Sequence, residues 1–226
     1  HADSSRASWT INGADAAEGE TLAGDFVGGD VVVCEVIPAD GYDDGEAVSV
    51  EITIDNTGPE VTSVTITPDT GVTTSTPLIC EATATDADGE TPTLSYDWTS
   101  ASGAALGSGS EISLTPDTTA PGETITCTAT ATDGDGDTDT ATDSVSLDNI
   151  DPEITAVTIT PSSGIDTSTE LSCSATATDD DGGTPTITYE WTAGTGTALG
   201  TGDTLVLSPS DTSPGDDITC TATATD

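Results

Sequence analysis

Apolar and polar residues alternate in short runs along this chain. In GETITCTATATD, Ile125, Cys127, Ala129 and Ala131 fall on one side and Thr126, Thr128, Thr130 and Thr132 on the other, the period of two expected of a strand with one buried face. VTITP, LICEATATD and LSYDWTS alternate in the same way. No stretch carries a helical period, and clusters of Gly, Pro and Asp separate the runs, so the pattern predicts an all-β sandwich.

The runs recur. Cys34, Cys127 and Cys220 are one position repeated every 93 residues, and Cys80 and Cys173 are a second position with the same spacing. Trp98 and Trp191 each lie 18 residues after one cysteine and 29 before the next, whereas Trp9 lies 25 before Cys34, which gives the first copy a shorter mid-domain loop. Residues 62–133 and 155–226 agree at about six positions in ten, far more than a shared fold alone requires. The joins are marked by IDNTGPEVTSVTITP and LDNIDPEITAVTITP. The expected domains are residues 1–58, 59–151 and 152–226. On this grid the first copy lacks its front strands and the last stops before the strand that DTATDSVSLDN supplies in the middle copy. The 226 residues are therefore expected to be a window on a longer polypeptide.

Charge changes the picture of partners. Forty-two acidic residues face one basic residue, Arg6, for a formal charge of −41. Binding to nucleic acid or to an anionic membrane by counterion release is excluded on that ground. No apolar run is long enough to span a bilayer, so direct membrane insertion by these residues is not expected. Acidity with few aromatics is also the composition of disordered segments, but the strict alternation of apolar residues is not their pattern.

The order Cys…Trp…Cys resembles that of immunoglobulin-type modules, in which cysteines on strands B and F bridge the two sheets and a strand C tryptophan packs on the bridge. The resemblance implies Cys80–Cys127 and Cys173–Cys220 disulfides, Trp9, Trp98 and Trp191 in the core, and a partner for Cys34 upstream of the window. The bridges would offset a thin core in modules of about 93 residues, and disulfides persist only in oxidising surroundings, so the protein is expected to be secreted or on a cell surface. The alternatives are reduced core cysteines or a metal site. The latter lacks any CxxC pair, and His1 is the sole histidine.

The first run, SWTINGADAAEGETLAGDFVGGDVVVCEVIPADGYDDGEAVSVEITIDNTGP, together with SYDWTS, TYEWTA and CTATATD, is similar to the Ig-like and PKD-like repeats of large bacterial secreted and surface proteins. It departs from the PKD signature in having no Phe-Gly-Asp-Gly after Trp98 or Trp191, and from antibody domains in placing Ile125 and Ile218 where the tyrosine corner belongs. The resemblance implies a spacer, stalk or adhesive role at a bacterial surface.

The remaining chemistry is acidic. Asp86-Ala87-Asp88-Gly89-Glu90 follows strand B, and Asp133-Gly134-Asp135-Gly136-Asp137 follows strand F. In an Ig-like sandwich the B–C and F–G loops share the end at which the chain enters. Asp55, Glu60, Asp86, Asp88, Asp133, Asp135 and Asp137 would converge at the first joint. Asp148, Asp151, Glu153, Asp179, Asp181 and Asp226 would do so at the second. Such sets offer the hard oxygens that Ca²⁺ requires. Solvated Asp-Gly turns are the competing reading. An EF-hand is not expected, because counting from Asp133 the twelfth position is Ser144 rather than Glu.

Thr65, Thr67, Thr83 and Thr85 form an outward threonine array. It reads as an ice-ordering face, as sites for O-linked sugars, or as ordinary solvent-facing strand residues. Without histidine in the modules, without lysine, and with no nucleophile beside a base, no enzyme is expected. The overall expectation is a structural extracellular array that forms a stalk, fibre or surface filament with neighbouring copies of itself as partners. The alternative is an adhesin recognising cell-surface glycans, ice or a partner cell.

Overall fold

The alternating runs all form strands in the computed structural model, which describes residues 4–194 and 196–226. His1 lies outside the described residues. The first group comprises β1 (Arg6–Ile11), β2 (Ala14–Glu18), β3 (Val31–Ile37) and β4 (Val48–Thr53), joined as one sheet in the order β2-β1-β3-β4.

The second group is β5 (Glu60–Thr67), β6 (Pro77–Thr85), β7 (Thr93–Ser100), β8 (Ala105–Ser108), β9 (Glu111–Ser113), β10 (Thr124–Thr132) and β11 (Thr138–Ser146). Its sheets are β5-β6-β9 and β11-β10-β7-β8. The third is β12 (Glu153–Thr160), β13 (Glu170–Thr178), β14 (Thr186–Ala193), β15 (Thr197–Thr201), β16 (Thr204–Val206) and β17 (Ile218–Thr225), with sheets β12-β13-β16 and β15-β14-β17. The strand that follows β7 pairs with β7 and not with β9, so the middle sandwich divides three strands against four.

Two disulfides cross the sandwiches, Cys80 to Cys127 and Cys173 to Cys220. Trp98 is the antiparallel partner of Cys127 and Trp191 that of Cys220, and both indoles are 0 % exposed. Each indole also solves a polar problem. Trp98 Nε1–H donates to the Gly109 carbonyl and Trp191 Nε1–H to that of Gly202. Both glycines have φ near +100°, which a side chain would resist. Around Trp98 the core gathers Ile66, Val72, Leu78, Leu114, Ile125, Val145 and Leu147.

Trp9 differs from the expectation of a core residue. It pairs with Cys34 and donates to the Gly19 carbonyl as its counterparts do, yet it is only half-buried. The reason is that the described residues place no opposing sheet over this face. Val48, Val50 and Ile52 on the same side of β4 are 69, 65 and 58 % exposed. Cys34 is a free, half-buried thiol on that face.

Candidate metal centre at the module joints

The segment between β4 and β5 runs into the loops of the next module and is held there by side chains. Asn56 Nδ2 donates to Asp133 Oδ2 at 2.9 Å and to Asp137 Oδ2 at 3.0 Å. The Thr57 amide donates to Asp88 Oδ2 at 2.7 Å. Asp88, Asp133 and Asp137 therefore all fix the linker, while Asp55, Glu60 and Asp135 are exposed.

The loops themselves are built by aspartates capping their own turns. Asp86 Oδ1 accepts the Asp88 amide, and Asp133 Oδ1 accepts the amides of Asp135, Gly136 and Asp137. Glu90 then reaches across from one loop to the other, its Oε2 accepting the Gly134 amide at 3.0 Å. One oxygen each from Asp86, Glu90 and Asp133 consequently lie within 4.8 Å of one another. Asp86 Oδ2 is buried with no hydrogen-bond partner. The Asn56 amide, opposed by burial and helped by three backbone N–H groups, holds the Asp133 carboxyl below the usual range, so it stays ionised at neutral pH. Three carboxylates at this separation repel one another, and an orphaned buried oxygen is costly. A hard divalent cation relieves both, and carboxylate oxygens are the donors such a cation takes.

The second joint repeats the linker contact without the cluster. Asp181, one repeat after Asp88, accepts the Ile150 amide on Oδ2, as Asp88 accepts that of Thr57. Its Oδ1 accepts the hydroxyl of Thr74 in the preceding module at 2.8 Å, and Asp181 is 3 % exposed. Asp179 caps its turn as Asp86 does. The place of Glu90, however, is taken by Gly183. Asp148, Asp151, Glu153 and Asp226 are exposed, and among the described residues no acidic cluster forms at this joint.

Glu90, Asn56 and Thr74 were not among the sequence candidates. Glu90 had a readable signal, four residues after Asp86 in the same acidic turn. Asn56 and Thr74 had none, because their partners lie 77 and 107 residues away. The threonine array is partly self-satisfied: the Thr83 hydroxyl lies 2.7 Å from those of Thr62 and Ser63, and Thr155 pairs with Thr176 at the same distance.

Fold and bridges together define a tandem array of Ig-like β-sandwich modules. No protein-family model matches the sequence, and no curated protein matches it. Several solved structures align over nearly the whole chain. The three N-terminal domains of the highly immunogenic outer capsid protein Hoc of bacteriophage RB49 are 17 % identical. That alignment covers 97 % of this chain and 80 % of that one, with a TM-score of 0.31. The FN1–FN3 domains of chicken CNTN1 are 12 % identical over 98 % of this chain and 83 % of that one, with a TM-score of 0.29. A structure described as a Ca²⁺-stabilized adhesin that helps an Antarctic bacterium reach out and bind ice is 16 % identical, with 99 and 65 % covered and a TM-score of 0.29. No helix among the described residues is long and apolar enough to cross a membrane.

Proposed function

We propose that this chain is structural: a stretch of a bacterial secreted or surface repeat protein whose modules are serially fixed to form a stalk, fibre or filament, with one joint stiffened by Ca²⁺. The observation that carries this reading is the repeated linker contact. Thr57 to Asp88 and Ile150 to Asp181 are one bond formed twice, 93 residues apart. A joint held by the same carboxylate in successive copies transmits orientation from module to module, which a flexible string does not require. The acid also keeps such an array soluble. Bacterial origin rests on the PKD-like and Ig-like runs of the sequence, and residence outside the cell on the two disulfides.

At the first joint Asp86, Glu90 and Asp133 would hold the ion, with water completing its shell. Its effect would be electrostatic and mechanical, since it joins the two loops that already grip the linker.

The test is thermal unfolding of the 226-residue chain in excess Ca²⁺, in EDTA, and in Mg²⁺ at matched ionic strength, paired with calorimetric titration. One Ca²⁺ per chain is expected, because Gly183 replaces Glu90 at the second joint. At a hundredfold excess over Kd, binding stabilises by about 2.7 kcal/mol, a rise of several degrees in the melting of the middle module. Glu90→Gln should abolish most of that rise while leaving the EDTA curve nearly unchanged. Superimposable curves in Ca²⁺ and EDTA would remove the ion from the account.

A further inference from the structure

We propose that the outer face of the sheet formed by β11, β10 and β7 is a lateral contact surface, and that its partner is the same face of a second copy of this chain. Ile125, Cys127, Ala129 and Ala131 of β10 are fully buried, so the residues that alternate with them face outward, and every one is a threonine. Their antiparallel partners on β11 are Thr or Ser in every row, and those on β7 depart from this only at Asp97. Thr140, Thr130 and Ser95 make one row, and Thr142, Thr128 and Asp97 the next. The fold does not demand such a face. One repeat earlier the places of Thr128 and Ser144 are held by Glu35 and Glu51. One repeat later β17 and β14 restore the hydroxyls, with Glu190 in the place of Asp97.

Two properties select a second copy as the partner. The first is charge. Two chains of formal charge −41 repel wherever their carboxylates meet, and this face is where that repulsion is least. The second is the chemistry of the hydroxyl, which both donates and accepts. A face of hydroxyls is therefore complementary to itself, as a face of acceptor-only carboxylates is not, and a two-fold contact uses one patch twice. Pairs of this kind already form within the chain on the other sheets, Thr62 with Thr83 at 2.7 Å and Thr158 with Ser174 at 2.8 Å. The side-chain hydroxyls of β10 and β11, by contrast, have no hydrogen-bond partner among the described residues. Two sheets of the same twist stack face to face at about −30°, so the twist of one copy matches that of the other.

The size of the face sets the strength. Strands of nine residues at about 3.4 Å per residue, three of them about 4.8 Å apart, present roughly 450 Å². That is about half of the ~800 Å² that each partner gives to a standard interface. A single module therefore associates weakly, and repetition along an array raises the avidity. Asp97 sets a limit, because it brings one carboxylate of each copy into the contact. The contact is lateral, needs no ion at the joints, and stands apart from the end-to-end order of the proposed stalk.

Threonine methyl NMR of the 226-residue chain, diluted from millimolar to micromolar in about 0.5 M NaCl, where the Debye length is roughly 4 Å, tests the proposal. Concentration-dependent shifts are expected at the threonines of β10 and β11 and not at Thr65 or Thr67 on the opposite sheet, and they should weaken at low salt. Asp97→Asn should tighten association severalfold. Thr140→Asp should weaken it at least tenfold, whereas Thr67→Asp, an equal change of charge on the other sheet, should leave it unaltered. All three positions are exposed, so each variant keeps its core, and the dispersion of the same spectra reads whether it folds. Absence of concentration-dependent shifts on this face, or equal association of Thr140→Asp and Thr67→Asp, would overturn the proposal. So would slowed ice recrystallisation, or retention on a neutral polysaccharide, by a chain that shows no self-association, since the face would then have another occupant.

Discussion

Replacing Cys80 and Cys127 together by alanine is expected to destabilise the middle module by about 4 kcal/mol, the chain-entropy value for a cross-link spanning 47 residues. Single domains are stable by roughly 5–15 kcal/mol in total, so the loss removes a large part of the margin. The small aromatic content makes the margin thin to begin with. Of the four buried β10 positions, two are filled by Ala129 and Ala131, which bury little area each. Hydrogen exchange of the Ala129 and Ala131 amides reads the effect in that module alone, where global unfolding should govern exchange. Dithiothreitol on the unmodified chain should reproduce most of it, in the third module as well, where Cys173–Cys220 spans the same 47 residues. A change below 1 kcal/mol would show that the core carries the modules without the bridge.

Trp98→Ala is expected to cost 3–5 kcal/mol, the usual range for truncating a large buried aromatic, because the indole is fully enclosed and sits opposite Cys127. The change also strands the Gly109 carbonyl, which accepts the indole N–H. Trp98→Phe isolates that second effect and should cost on the order of 1–3 kcal/mol beyond the lost area. The contrast with the first copy is sharper. Trp9→Ala removes the same side chain from a face without an opposing sheet among the described residues, and should cost well under half as much. Chemical denaturation of the three variants, followed by circular dichroism, measures both differences. Equal losses at Trp9 and Trp98 would mean that burial does not set the effect.

How much of this was legible in the sequence depends on the range of the interaction. Alternation is local, so β10 with Ala129 and Ala131 inward could be read directly. The 93-residue grid marked two repeated cysteine positions because duplication repeats every distance along with every residue, and the resemblance to Ig-like modules implied which of them pair. The partition of strands between sheets was not legible: the short run at Ala105–Ser108 pairs with β7 through a register shift at Trp98/Thr99 that no periodicity signals.

The joints divide in the same way. Convergence of the B–C and F–G loops followed from the resemblance to Ig-like modules, and Asp86 and Asp133 do meet. Which acids would serve the linker and which would face one another was not readable, because Asp88 and Asp137 differ from Asp86 only in where the Thr57 amide and the Asn56 side chain fall. Asp181 shows this most plainly. Its sequence reads as one more turn aspartate, yet it is nearly fully buried between Thr74 and Ile150.

The central claim is that successive modules are fixed to one another through these carboxylates, and nitrogen-15 relaxation of the 226-residue chain tests it most directly. The account predicts that amides of β5–β11 and β12–β17 report one shared rotational diffusion tensor, and that Asp181→Ala splits it into two faster, independent ones while each sandwich keeps its spectrum. Independent tumbling of the two modules in the unmodified chain would contradict it.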